Sequence, residues 1–129
     1  ILELTENNTL KSIIQSKGRL NKIREDFGVQ IWLDDFGVGY SNFDLVSAFN
    51  FDGLKISKEL FWDLYRNDKI LLKHIIKFMK SKVNIIVIEG VDSFDKYNFC
   101  KEQLCMMQGY FLNEVRNNVL NEVRNNVTI

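Results

Sequence analysis

Seven polar side chains stand at or beside the ends of short apolar runs: Glu3, Glu6, Asp34, Asp35, Lys55, Glu89 and Gln108. Asp34 and Asp35 are adjacent, and Phe36-Gly37-Val38-Gly39-Tyr40-Ser41 follows them. Neighbouring carboxylates repel each other and cost desolvation energy, so they need a proton or a cation. With oxygen donors that cation is usually a divalent metal. Gly37 and Gly39 let the next loop take positive φ and approach a ligand closely. Carboxylates gathered from separate strands on one rim suit Mg²⁺ or Mn²⁺, with water in the remaining positions. Two such ions acidify a bridging water and brace both oxygens of an in-line phosphoryl displacement. A nearby lysine orients that water or offsets phosphate charge.

Such convergence needs strands held side by side. The candidates are residues 1–5, 29–34, 53–56, 84–88 and 107–112. Each is a brief apolar run without clean alternation, as expected for strands buried on both faces of a parallel sheet. Helical spacing predicts helices over residues 17–27, 68–80 and 93–104. The first places Leu20, Ile23 and Phe27 on one stripe and ends at Gly28 as a C-cap. The second aligns Ile70, Leu71, Ile75, Ile76 and Met79 opposite its lysines. The third opens on Ser93 as N-cap and turns Tyr97, Cys100 and Leu104 inward. Strand and helix alternate, which predicts an α/β fold, layered or barrel. Five strands do not close a (β/α)8 barrel, which takes about 250 residues. The expectation is therefore a partial TIM-like barrel, its C-terminal five strands with intervening helices, over residues 1–112. Residues 113–129 form a tail in which NEVRNNV occurs twice. Two copies are too few for a repeat architecture, and a duplication without function is the expected account.

Composition excludes several classes. The 129 residues are 46% hydrophobic, enough for a core, and formal net charge is +0. That balance gives no electrostatic footprint for a nucleic-acid polymer or an anionic membrane. No apolar run approaches the ~20 residues of a membrane span. Cys100 and Cys105 are too few for a disulfide framework or a zinc site, so a reduced, cytoplasmic setting is expected. Among single residues, His74 on a lysine-rich helix reads as packing or surface. Phe51, Phe61, Trp62 and Tyr65 read as core or interface rather than a platform for bases. The DFG at Asp35–Gly37 also occurs in protein kinases, but residues 10–30 hold no HRD-type loop, and that reading is rejected.

Five segments in order carry a family resemblance: Leu2–Glu6, LDDFGVGYSNF (Leu33–Phe43), FDGLKIS (Phe51–Ser57), IEGVD (Ile88–Asp92) and QGYF (Gln108–Phe111). Together they resemble the second half of an EAL domain, the bacterial cyclic-di-GMP phosphodiesterase module. The resemblance implies a TIM-like barrel that opens cyclic di-GMP to linear pGpG with two Mg²⁺ or Mn²⁺ ions. It implies that Glu3, Asp34, Asp35 and Glu89 are metal ligands and that Lys55 holds the catalytic water. Glu6 would steady the loop containing Gly37, Gly39, Tyr40 and Ser41, and that loop and Gln108 would meet the substrate.

The chain also departs from the family pattern. The Glu-Ala-Leu strand and an upstream asparagine ligand, both expected before Ile1, are not in this sequence, so the two-metal site is incomplete here. Val38 stands for the usual threonine, Ser57 for aspartate, Ile88 for alanine and Asp92 for glutamate, and the proline after QGY is missing. Altered surroundings of intact ligands cost 10–100-fold in metal affinity or activity. The alternative is therefore a degenerate EAL domain that serves as a cyclic-di-GMP receptor or interaction module. The chain alone is expected to turn over little substrate. Its unpaired strand edges are expected to favour self-pairing into a homodimer.

Overall fold

Parallel pairing of consecutive strands demands a crossover at every step, and the sequence supplies a helix at each one. The computed structural model describes residues 1–5, 10–39, 42–114 and 116–118. Strands β1 (Leu2–Leu4), β2 (Ile31–Phe36), β3 (Gly53–Ile56), β4 (Ile85–Glu89) and β5 (Met106–Gln108) form one parallel sheet in chain order. Helix α1 (Leu10–Phe27) joins β1 to β2, and α2 (Asn42–Ala48) joins β2 to β3. Helices α3 (Lys58–Asn67) and α4 (Lys69–Lys80) join β3 to β4, and α5 (Phe94–Glu102) joins β4 to β5.

The register sorts the strand residues onto two faces, because side chains alternate and in-register parallel neighbours share a side. Ile31, Leu33, Leu54, Ile56, Ile86 and Ile88 lie on one face and join the helix residues Leu45, Phe61, Leu72, Ile76 and Met79 in the core. Glu3, Trp32, Gly53, Lys55, Val87, Glu89 and Gln108 lie on the other. Trp32 and Val87 are buried there, outside the helix-packed core. Gly53 leaves room for the Trp32 indole, since a Cβ at 53 would sit 2.5 Å from the ring. The outer strands β1 and β5 are more exposed than the three between them, so burial on both faces holds only for the middle of the sheet.

Helix ends follow their caps. Ser57 accepts the Leu60 N–H, Asp68 the Leu71 N–H and Ser93 the Lys96 N–H. Gly28 closes α1 at φ 61, its N–H donating to the Arg24 carbonyl over 2.9 Å. Several expectations need correction. Helix α1 begins at Leu10, and over residues 11–27 its buried residues are Ile13 and Leu20, while Ile23 and Phe27 are exposed. In α4 the buried stripe is Leu72, Ile76 and Met79, with Ile70 and Leu71 outside. Leu104 lies beyond α5 at φ 55 and is 84% exposed, because the chain must reverse there to enter β5. Residues 110–114 and 116–118 are helical, so the strand expected over 107–112 ends at Gln108. The second tail copy, from Asn121, lies outside the described residues.

Candidate active site

Strand ends bring the predicted residues to one mouth of the sheet. Glu3 stands on β1, and Asp34 lies two residues beyond Trp32 on the same side of β2. Pairing of β2 with β3 shifts between Leu33 and Phe36, so Asp34 and Asp35 occupy a bulge inside the strand, not its end. Bulges re-aim side chains, and Asp35 adopts φ 55 to make this one. Its N–H donates to Asp34 Oδ1 over 2.9 Å, which closes the turn on itself.

Lys55 is the hub. Its Nζ lies 2.6 Å from Glu3 Oε1 and 3.8 Å from Asp34 Oδ1. Burial by itself would lower the Lys55 pKa. The hydrogen bond to Glu3 and the charges of Asp34, Glu3 and Glu89 outweigh it and hold the ammonium above its usual value. Glu89 closes β4 opposite Gln108, which closes β5 rather than opening it. Burial, then the Asp34 charge, raises the Glu89 carboxyl above its ordinary range, with Lys55 opposing. Asp35 is raised in the same way, by burial first and then by Asp34 and Glu59. One cation is thus shared among several acids, and negative charge remains in excess.

A cleft of about 810 Å³ opens beside this cluster. Asp35, Glu59, Trp62, Glu89, Gln108 and Tyr110 are among the residues that line it. Of the loop after the aspartates, Gly37 and Gly39 have φ 103 and 112, in the left-handed region that favours glycine. A Cβ on Gly37 would lie 2.4 Å from Leu60 Cδ2, so α3 forms the wall behind this loop. Gly109 is pressed as tightly on Val91, whose N–H donates to the Gln108 carbonyl over 3.1 Å. Glu6, Tyr40 and Ser41 lie outside the described residues.

Glu59, Lys58 and Trp62 were not anticipated as cleft residues. The signal was present: Ser57, two residues after Lys55, caps a helix that starts at Lys58, which places the first turn of α3 at the same mouth. Ser57 is fully buried, and its N–H donates to the Phe36 carbonyl over 3.0 Å. His74 is exposed on α4, and Phe51 and Phe61 are core, as their setting suggested. Cys100 and Cys105 are free, buried thiols, and burial pushes Cys100 up to about 12.

The acidic side chains offer hard oxygen donors with mutual repulsion that a divalent ion relieves, so the donor set fits such an ion in kind. Among the described residues, no three His, Cys, Asp or Glu side chains are already drawn together tightly enough to hold one. No described helix is long and apolar enough to cross a membrane.

The EAL domain family matches residues 1–114. This chain belongs to the EAL domain family. Cyclic di-GMP phosphodiesterase NbdA of Pseudomonas aeruginosa is 30% identical over 115 residues, which are 87% of this chain and 15% of NbdA. Cyclic di-GMP phosphodiesterase PdeH of Escherichia coli is 31% identical over 91 residues, 68% of this chain and 35% of PdeH. The structure of the PaMucR phosphodiesterase in complex with c-di-GMP superposes with TM-score 0.68 at 28% identity, covering 84% of this chain and 44% of that one. The c-di-GMP-bound standalone EAL protein of Vibrio cholerae superposes with TM-score 0.62 at 25% identity, covering 84% and 46%. The chain thus spans less than half the length of these relatives. The EAL fold class expected from the sequence, α/β with part of a TIM-like barrel, is the one observed.

Proposed function

We propose that this chain supplies the Lys55 half of a metal-dependent phosphodiesterase site that hydrolyses cyclic di-GMP to pGpG. The observation that carries the reading is the placement of Lys55 between Glu3 and Asp34, with Glu89 on the same face of the sheet. Similarity to relatives named as cyclic-di-GMP phosphodiesterases supports the choice of substrate. Glu3, Asp34, Asp35 and Glu89 would hold Mg²⁺ or Mn²⁺, whose charge supplies an acidified water and offsets charge on the phosphate. The Lys55 ammonium directs a donor into the same space, where it orients a water or a phosphate oxygen. Gln108 lines the cleft a dinucleotide would fill, and Gly37, Gly39, Tyr40, Ser41 and Glu6 are assigned to the substrate loop by family resemblance. Residues 1–112 form the catalytic unit, with 113–129 an appended tail, and the unit works in a cytoplasmic setting.

A second reading, binding without cleavage, is favoured by one feature. Lys55 already offsets charge on Glu3 and Asp34, so this face has a counter-cation of its own. Pairing of two chains through β1 or β5 would suit either reading.

Calorimetric titration of cyclic di-GMP into a complete EAL domain that includes these residues, with and without Mn²⁺, coupled to chromatography of the products, separates the two. Mn²⁺-dependent pGpG that disappears in Glu89→Ala supports hydrolysis. Tight binding with no linear product supports the receptor. No binding under either condition overturns both.

A further inference from the structure

Glu89 is followed at once by Gly90, whose φ of 78 turns the chain out of β4. The carbonyl oxygen of Gly90 accepts a hydrogen bond from the Trp62 indole Nε1–H at 2.7 Å. The contact is close on both sides. A Cβ on Gly90 would lie 2.9 Å from the same indole nitrogen and 2.5 Å from Lys58 Cγ. Trp62 therefore touches the backbone at the residue next to a cleft carboxylate, from a helix that begins at the end of β3.

The indole is itself held. Lys58 Nζ lies 5.2 Å from its centroid and Lys96 Nζ 4.9 Å, both within the range of cation–π attraction. Lys96 is in turn 2.7 Å from Asp92 Oδ1, on the same β4–α5 connection as Gly90. The result is a closed circuit: Gly90 to Trp62, Trp62 to Lys96, Lys96 to Asp92, and two residues of chain back to Gly90. Trp62 remains 39% exposed, far more than a ring placed there for core packing alone. It also borders both the main cleft and a smaller groove of about 290 Å³.

We propose that Trp62 is a positioning residue for Glu89: its indole N–H, fixed on the Gly90 carbonyl, sets the turn that aims the Glu89 carboxylate into the cleft. The inference rests on the reading of Glu89 as a metal ligand. Loss of such a supporting contact costs 10–100-fold in metal affinity in other sites.

The chain has two tryptophans, so a ¹⁵N-labelled sample gives two indole N–H resonances, and Trp62→Phe assigns them by deletion. Titration of the 129-residue chain with Mg²⁺ should shift the Trp62 resonance saturably, and Glu89→Gln should abolish that shift. Trp62→Phe keeps an aromatic ring and loses only the donor. It should weaken Mg²⁺ binding about tenfold, followed on backbone amides, with the melting temperature little changed. Trp62→His, which can restore an N–H donor, should recover part of the affinity. Wild-type Mg²⁺ binding with unchanged affinity in Trp62→Phe overturns the inference and leaves the site reading intact. Absence of Mg²⁺ binding in the wild type overturns the site reading and the inference together.

Discussion

The Nζ of Lys55 reaches past β2 to lie 2.6 Å from Oε1 of Glu3, and it passes Asp34 Oδ1 at 3.8 Å. One ammonium on β3 therefore links the acids of β1 and β2. Replacing it with Lys55→Met leaves those acids facing one another without a cation. Because Glu3 is partly solvated, the loss should be about 1 kcal/mol in metal-free buffer, the upper part of the range for accessible ion pairs. Mg²⁺ should then raise the melting temperature of the variant more than that of the wild type. Equal rises in the two proteins would show that Lys55 and the metal do not share these carboxylates.

The pH dependence has a definite sign. Burial and neighbouring charges raise Glu89 above its ordinary 4.5 and Asp35 above 3.8. The folded chain thus holds these protons more tightly than the unfolded chain. Their contribution to stability declines as pH climbs from those ordinary values through the raised ones, and is constant above. Glu89→Gln removes one such group, so it should melt higher than the wild type near neutral pH. The gap should close below about pH 4. Thermal melts in chelator-treated buffer across that range provide the check. A variant that melts lower at neutral pH would contradict the charge balance described here.

Gly53 is required by Trp32. A Cβ there would meet the ring at 2.5 Å on both sides of its shared edge, and the ring is tethered by Nε1–H donation to Gln30 Oε1 over 3.0 Å. Gly53→Ala should cost about 1–3 kcal/mol, as over-packing does, and shift the Trp32 emission. A urea midpoint equal to that of the wild type would mean the indole moves aside freely.

Ser57 stands where the EAL family usually has aspartate, and the structure shows it at work as the N-cap of α3. Serine and aspartate cap comparably, so the exchange keeps the local structure. Ser57→Ala should destabilise by about 1 kcal/mol. Ser57→Asp should retain the cap and still destabilise, because the helix N-terminus offsets only part of the cost of burying its charge. Denaturant midpoints of the three proteins measure both effects. A Ser57→Ala midpoint at the wild-type value would remove the capping role.

How far the sequence revealed this arrangement differs by element. Strand β3 matches its expected span residue for residue, and β4 differs by one at each end, because short Ile- and Val-rich runs bounded by polar residues leave little choice. Helices α2 and α3 escaped notice for different reasons. Asn42–Ala48 is too short to show a period, and Lys58–Asn67 does carry one, with Leu60, Phe61, Leu64 and Tyr65 on one stripe, but its aromatic residues read as a core or interface cluster rather than as a helix. The paired aspartates and Glu89 stood out as carboxylates beside apolar strands. The bulge that aims Asp34 and Asp35 did not, since it depends on how β3 pairs with its neighbour. Glu59 and Trp62 reach the cleft through the placement of the whole helix, which only the Ser57 cap just after Lys55 announces in the sequence.

The separation of the sheet into an oily side and a charged side has an evolutionary meaning. Residues that specify folding and residues suited to chemistry are set back to back on the same strands, so each set can change while the other is kept. On the proposed reading, a few exchanges among Glu3, Asp34 and Glu89 would retune or silence hydrolysis while the helix-packed core is kept. A domain built this way can pass from cutting a signal to merely reading it.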